Sequence, residues 1–196
     1  MRATELNRYV AALQRIRNLP IASIGRIAGI ARGGSSESFL SLDRRFSAVG
    51  PTILSQPEVA IGIIPSGSGS QRLPRLLGRG RALLEVAIGC EDYDAEQTEG
   101  YEYINRALSR AELDDVVAAL AHRIAAYPRA AIAETKKAMD YLDSQITQGL
   151  LEEQDLFNQT RMMPEAQRRM HRFMALGGQT HEGELALDSI IEQLSV

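Results

Sequence analysis

The chain has 196 residues, of which 44% are hydrophobic and 24% charged, so it can bury the core of one domain and is not disordered. Its net charge of −3 excludes the basic surface typical of nucleic-acid-binding proteins. No apolar stretch is long enough to cross a bilayer, and the lone Cys90 fits a reducing compartment. We therefore expect a soluble, cytoplasmic, single-domain protein with no membrane and no nucleic-acid partner.

The first forty residues predict a helix, a strand, a glycine turn and a second helix. Apolar residues at helical spacing predict the first helix over Thr4–Asn18. The β-branched run Ile21–Ile27 predicts a buried strand, and a turn over Gly29–Gly34 follows it. The polar run Ser35–Glu37 is then expected to cap a helix that continues through Leu42.

The middle of the chain continues this alternation. Phe46–Val49 and Thr52–Leu54 predict two strands, and the Gly, Ser and Pro residues of Ile61–Ser70 predict a loop. A single helix is expected over Arg72–Ala87, and a strand over Tyr103–Leu108. We place the arginines of that helix on a solvated face: Arg72, Arg75, Arg79 and Arg81.

After Glu112 the pattern is helical throughout. Breaks are expected at Pro128, and near Asp143–Thr147, Met163–Pro164 and Gly177–Gly178. Strands alternating with helices, followed by helices alone, indicate the α/β class with an α-helical C-terminal section.

Three features that could carry chemistry lie close together in the sequence: the pair Gly33-Gly34, Glu37 and Glu58. Glycines before a helix start let backbone N–H groups approach a ligand, and such groups can stabilise a developing oxyanion. Two carboxylates in one cleft can divide acid and base work. By spacing alone, an ordinary turn with two solvated glutamates explains the same pattern.

Three segments resemble the crotonase (enoyl-CoA hydratase/isomerase) superfamily, in the order and spacing of that family, from about Leu19 to Lys137. They are "LPIASIGRIAGIAR" with "GGSSESFLSLDRRF", "SQPEVAIGIIPSGSGSQRLPRLLGRGRALLEVAIG", and "DYDAEQTEGYEYINRALSRAEL". The resemblance implies a crotonase-like ββα spiral that lacks its N-terminal part. Residues 1–112 would form the partial core, and residues 113–196 a helical section suited to oligomerisation.

The resemblance implies an enzyme that adds water to a 2-enoyl-CoA. Gly34 would supply an oxyanion-hole N–H, and Glu37 and Glu58 would share the acid and base roles. Further substrate contacts would come from Gly33, Pro65 and Ser66. Enoyl-CoA isomerisation, acyl-CoA hydrolysis, or a truncated non-catalytic binding or assembly subunit are the alternatives. We expect no cofactor beyond the CoA of the substrate, and no metal, because the three histidines lack ligand spacing.

Two departures from the family pattern bear on activity. Ser35 stands where a third Gly is common, and Ser66 replaces a Gly whose N–H helps to hold water. The family's first repeats supply a second oxyanion N–H, and without that donor we expect hydration about 10²–10³-fold slower. The family also implies a homo-oligomer, a trimer or a hexamer. Apolar residues of the C-terminal helices would support that assembly: Leu150, Leu151, Phe157, Met170, Phe173, Leu185, Ile190 and Ile191.

Overall fold

Two small sheets form the centre of the molecule in a computed structural model that describes residues 4–140 and 146–194. The first sheet has the strand order β1-β3-β6 and is parallel throughout. The second has the order β2-β4-β5, with β2 and β4 parallel and β5 antiparallel to β4. The strands are β1 (Ile24–Ile27), β2 (Ile30–Arg32), β3 (Arg44–Ala48), β4 (Ile53–Ser55), β5 (Tyr93–Asp94) and β6 (Arg106–Leu108).

Helical elements cover these sheets and make up the whole of the C-terminal section that the structure describes. A 3₁₀ turn at Glu58–Ile61 and a π-helix at Arg81–Ile88 lie among them. The α-helices are α1 (Arg8–Arg17), α2 (Gly34–Leu40), α3 (Gly69–Leu77), α4 (Ala95–Gly100), α5 (Leu113–Ala125), α6 (Arg129–Asp140), α7 (Ile146–Arg161), α8 (Pro164–Ala175), α9 (His181–Leu185) and α10 (Leu187–Leu194).

The chain passes from one sheet to the other within each repeat. Strands β1 and β2 are separated by two residues yet belong to different sheets, and α2 follows them. Strands β3 and β4 repeat this pattern, with Gly25 beside Arg45 and Ala31 beside Leu54 in the parallel registers. The sequence did not predict β2, which lies inside the expected glycine turn; it forms because buried Ala31 packs into the core between α2 and β4.

Two predictions for the helices were wrong. The helix expected over Arg72–Ala87 is interrupted at Gly78, whose φ of +77° ends α3 before the π-helix begins. Arg72 is also not on a solvated face: it is 4% exposed, and its Nε donates to Ser68 Oγ at 2.8 Å. Arg72 is buried because the start of α3 packs beside α1, where the Arg72 guanidinium donates to the Gln14 side chain. Helical spacing alone does not indicate this contact.

The start of α2 also differs from the prediction. Gly33, not the polar run after it, is the N-cap residue, and α2 begins at Gly34. The Ser35 hydroxyl donates backwards to the Arg32 carbonyl at 2.7 Å, so it does not cap the helix. The consequence is that the glycine pair itself makes the turn from β2 into α2.

Separate apolar clusters hold the layers together. One lies between the second sheet and α2 and α3, around Leu54 and Leu73, and another packs the first sheet against α5, around Phe46 and Leu113. The C-terminal helices contribute their own cluster, centred on Phe173. Each fully buried side chain of this size stabilises the fold by about 1.5–3 kcal/mol.

Helix α7 packs back onto α1 at the N-terminal end of the described chain. Leu150 is buried against Val10, and the Gln154 side chain accepts from the Asn7 N–H at 2.6 Å. Leu150, Phe173 and Ile190, expected at a subunit interface, are therefore buried within the chain. The breaks predicted at Pro128, Met163–Pro164 and Gly177–Gly178 are confirmed, and most of Asp143–Thr147 lies outside the described residues. Among the described helices, none combines the length and apolarity that a membrane span requires.

Candidate active site

The turn into α2 brings the first predicted site residues together. Gly33 has a φ of +53°, a conformation that side-chain-bearing residues rarely adopt. A Cβ at Gly33 would also lie 2.9 Å from Glu58 Oε1, so the position requires glycine on two grounds. The Gly33 N–H donates to the Ser55 carbonyl at 3.1 Å, which ties the turn to the end of β4. The Glu58 carboxylate thus lies directly against Gly33.

Glu37 lies in the first turn of α2, with only 3% of its surface exposed. Its Oε1 accepts two backbone hydrogen bonds, from the N–H of Gly67 at 2.7 Å and of Gly69 at 2.8 Å. Burial raises the pKa of Glu37 to about 6, against the opposing effect of these two donors. Near neutral pH this carboxyl is mostly ionised and can accept a proton.

Glu58 begins the 3₁₀ turn and is 8% exposed. Burial first, and then the negative charge of Glu37, raise the pKa of Glu58 to about 8. The Gln56 amide lies 3.1 and 3.2 Å from the two carboxylate oxygens. Its nitrogen can donate to ionised Glu58; in the opposite orientation its oxygen can accept from protonated Glu58, while the nitrogen donates to the Tyr103 hydroxyl at 3.1 Å.

The two carboxyls therefore have opposite protonation states near pH 7, which is the arrangement expected of a paired base and acid. Both carboxyls are buried. Gly34, the first residue of α2, has an N–H that lacks an acceptor within the helix. The expected oxyanion donor thus lies one residue from the Gly33 contact with Glu58.

Tyr9 of α1 is a site residue that the sequence reasoning missed. Its hydroxyl donates a short hydrogen bond to the Gly34 carbonyl and lies 3.1 Å from Ser38 Oγ. Its ring lies against Gly67, where a Cβ would collide with both the ring and Glu37. The apolar spacing of α1 places Tyr9 on the helix face, but nothing in the spacing indicates which loops that face meets.

Glu153 of α7 is a third buried carboxyl, 1% exposed, and was also missed. Its Oε1 accepts from the Ser68 N–H at 2.8 Å, and its Oε2 accepts a short hydrogen bond from Ser70 Oγ. Burial raises the pKa of Glu153 to about 7, and the Glu37 charge adds to that effect. A signal was present: Ile146, Leu150 and Glu153 recur at i, i+4 and i+7, so a carboxyl interrupts the buried stripe of the helix.

Pro65 and Ser66 lead into the segment that binds Glu37. Pro65 is buried and its Cβ lies 2.9 Å from the position of a Cβ on Gly69, while Ser66 is partly exposed. The N–H groups that bind Glu37 belong to Gly67 and Gly69, not to Ser66. Neither Ser35 nor Ser66 has a positive φ, whereas Ser68 has a φ of +90°.

Sequence comparisons identify the family. The Enoyl-CoA hydratase/isomerase family profile matches residues 2–182. The chain is 30% identical to echA8 of Mycobacterium leprae (strain TN), named as a probable enoyl-CoA hydratase, over 78% of this chain and 59% of that protein. It is 33% identical to YngF of Bacillus subtilis (strain 168), named as an enoyl-CoA hydratase/isomerase, over 72% of this chain and 54% of that protein. The chain thus spans somewhat more than half the length of these relatives.

Solved structures give the same fold. A Streptomyces avermitilis protein, named provisionally as an enoyl-CoA hydratase, superposes with a TM-score of 0.89 and 36% identity, covering 94% of this chain and 66% of that one. Pseudomonas aeruginosa OdaA superposes with a TM-score of 0.75 and 27% identity, covering 84% and 66%. The predicted α/β class and crotonase fold are confirmed. With its family profile matched over most of its length, this chain belongs to the enoyl-CoA hydratase/isomerase (crotonase) family.

Proposed function

We propose that this chain hydrates a 2-enoyl-CoA thioester, with Glu37 as the base and Glu58 as the acid. The observation that carries the proposal is the pair of buried carboxyls at the glycine turn, with pKa values raised to about 6 and about 8. One is ionised and the other protonated near pH 7, so each is ready for its half of a water addition. The names of the relatives support the substrate class.

The addition proceeds through an enolate. Glu37 takes a proton from water as the water oxygen forms a bond to the β-carbon. The π electrons of the double bond move towards the thioester oxygen, whose charge the Gly34 N–H stabilises. Glu58 then delivers its proton to the α-carbon and the thioester carbonyl reforms. Glu37 ends protonated and Glu58 ionised, and exchange with solvent restores both.

The proposal is tested by crotonyl-CoA hydration with Glu37→Gln and Glu58→Gln. Gln keeps the side-chain shape but cannot exchange the proton, so we expect both variants to lose at least about 10²-fold in kcat. Glu96→Gln, an exposed glutamate of α4, is the matched control and should retain parental turnover. Unchanged turnover in both site variants would contradict the assignment of the two carboxyls, whereas absence of turnover in the parent chain would favour a non-catalytic subunit.

The pH dependence of kcat should follow the two carboxyls. Turnover rises as Glu37 loses its proton near pH 6, and it falls as Glu58 loses its proton near pH 8. Parallel assays with 2-enoyl-CoA and 3-enoyl-CoA separate the proposed hydration from double-bond isomerisation. Accumulation of the isomer, without the 3-hydroxy product, would assign the same carboxyls to proton transfer between carbons.

We also propose that the chain forms a homo-oligomer, a trimer or a hexamer. The support is a group of exposed apolar side chains on and between the C-terminal helices, because exposed apolar surface is often covered by a partner. They are Leu156, Met162, Met163, Met174 and Leu185. Sedimentation velocity at micromolar concentration should give a trimer or larger species, and a single monomeric boundary would contradict the proposal.

A further inference from the structure

The segment 67–70, which leads into α3, is held between two buried carboxylates from different helices. The Gly67 and Gly69 N–H groups donate to Glu37 of α2. Between them, the Ser68 N–H donates to Glu153 of α7, and the Ser70 hydroxyl donates to the same carboxylate. Successive donors at the start of α3 thus alternate between Glu37 and Glu153. The two carboxylates satisfy N–H groups that the helix itself leaves without an acceptor.

The backbone conformation of this segment requires stabilising contacts from other elements of the fold. Ser68 has a φ of +90° and a ψ of +2°, a region that a side-chain-bearing residue seldom adopts without support from its surroundings. Two contacts grip it: Glu153 accepts its N–H, and Arg72 Nε donates to its hydroxyl. The turn at Ser68 is what allows Gly67 and Gly69 to direct their N–H groups at one oxygen of Glu37.

We propose that Glu153 is a positioning residue: its carboxylate fixes the turn at Ser68, so that the flanking N–H groups of Gly67 and Gly69 hold Glu37 in place for the reaction. This inference rests on the proposed function, because it assigns Glu153 a role in that same site. A carboxylate that is 1% exposed is costly to bury, and it lies here on a helix face otherwise occupied by Ile146 and Leu150. Its two hydrogen bonds with Ser68 and Ser70, rather than packing, account for its position.

Glu153 also has an electrostatic consequence. Its negative charge acts on Glu58 and raises the pKa of that carboxyl, after burial and the larger effect of Glu37. Removing the charge therefore favours ionised Glu58. The other titratable or charged groups around this cluster, from the elements that surround it, are Tyr9, Glu37, Arg72 and Tyr103.

The test compares Glu153→Gln and Glu153→Ala with Glu152→Gln. Glu152 is the adjacent, exposed residue of α7 and loses the same charge, so it is the matched control. The Gln carbonyl can still accept from the Ser68 N–H; we expect kcat at pH 7 to stay within about tenfold and the alkaline fall of turnover to move to lower pH. Ala leaves the Ser68 N–H without its acceptor, and we expect kcat to fall about 10²-fold while KM changes little.

Amide hydrogen exchange gives a readout that does not depend on turnover. In Glu153→Ala the N–H groups of Gly67, Ser68 and Gly69 should exchange at least about tenfold faster than in Glu152→Gln. Equal exchange in the two variants, or equal pH profiles of Glu153→Gln and Glu152→Gln, would overturn the role of Glu153. If Glu153→Ala fails to fold, Glu153→Met, which keeps the side-chain volume but offers no oxygen acceptor to the Ser68 N–H, replaces it in both measurements.

The two proposals fail in different ways. If Glu37→Gln and Glu58→Gln reduce turnover but the Glu153 variants match Glu152→Gln, hydration stands and the positioning role is wrong. If Glu37→Gln and Glu58→Gln leave turnover unchanged, the proposed function is wrong, while faster exchange in Glu153→Ala would still support the hold on Ser68.

Discussion

The surroundings of Glu37 and Glu58 are equally buried but differ in the donors that they offer. Glu37 accepts two backbone N–H groups, whose direction is fixed by the fold and which favour the ionised carboxylate. Glu58 faces the Gln56 amide, which can turn to serve either protonation state. Burial raises the pKa of both groups. Two glycine N–H donors oppose the rise at Glu37, whereas at Glu58 one backbone N–H opposes it and the negative charge of Glu37 adds to it. The number of backbone donors and the neighbouring charge therefore give two glutamates different pKa values.

We expect the largest effect of this difference in the pH dependence of the free energy of unfolding. Both carboxyls have folded-state pKa values above the ordinary 4.5, so the unfolded chain ionises first and stability falls as pH rises. The fall extends from about pH 4.5 to about pH 6 for Glu37, and to about pH 8 for Glu58. Each pH unit within a window costs about 1.4 kcal/mol per carboxyl, an upper figure before the site relaxes.

Glu58→Gln should therefore remove a larger part of the pH dependence than Glu37→Gln does. Urea unfolding at pH 5, 6, 7 and 8 measures the free energy of unfolding in each case. Between pH 6 and pH 8 we expect the shallowest slope for Glu58→Gln and an intermediate slope for Glu37→Gln, because loss of the Glu37 charge lowers the pKa of Glu58. Identical slopes for the parent and both variants would show that the two surroundings do not differ as described.

Gly67→Ala should disturb the surroundings of Glu37 and not those of Glu58. A Cβ at Gly67 would overlap Glu37 Oε2 and the Tyr9 ring, so the carboxylate and the ring have to shift. A displacement of about 1 Å at a reacting group can cost about 10²-fold in rate, and we expect a loss of that size in kcat for crotonyl-CoA hydration. Gly80→Ala is the control, since a Cβ there has open space and φ is not positive. Parental kcat in Gly67→Ala would contradict the assignment of Glu37 as base.

The extent to which the sequence predicted this site follows from how local each feature is. The order of Gly34, Glu37 and Glu58 is carried by contiguous motifs, so the resemblance to the family identified all three before their geometry was known. The helix of α2 was likewise predictable, because its apolar residues recur at short spacing. Even there the cap was misplaced, since Gly33 has a positive φ and lies against Glu58, and local spacing indicates neither feature.

Features that depend on distant packing could not be predicted in the same way. Glu153 is 116 positions from Glu37. The two carboxylates bind the same segment because α7 packs against the start of α3. The donors Gly67 and Gly69 lay in a segment expected to be a loop, whose spacing does not indicate which N–H groups face inwards. Tyr9 was recognised only as part of an apolar stripe. The helices after residue 113 therefore contribute to the site itself, as well as to any assembly.

The smallest expected effect is that of Tyr9, which contacts both the Gly34 turn and the Gly67 segment that binds Glu37. Its hydroxyl holds the Gly34 carbonyl, and its ring packs on Gly67 beside Glu37. Burial, and more weakly the charges of Glu37 and Glu58, raise the pKa of Tyr9, so the hydroxyl keeps its proton and remains a donor throughout the assay range. Tyr9→Phe removes the donor and leaves the ring in place.

The loss of that one hydrogen bond should cost about 0.5–1.5 kcal/mol, so we expect kcat to fall by no more than about tenfold, with the pH limits near 6 and 8 unchanged. Tyr9→Ala also removes the ring from Gly67 and should reduce kcat further, because Glu37 then gains space to move. Tyr127→Phe, at an exposed tyrosine, controls for loss of a hydroxyl elsewhere. Steady-state kinetics of the three variants across pH 5–9 measure this. A shift of the pH limits in Tyr9→Phe would mean that Tyr9 acts on the carboxyls themselves and not on the Gly34 turn.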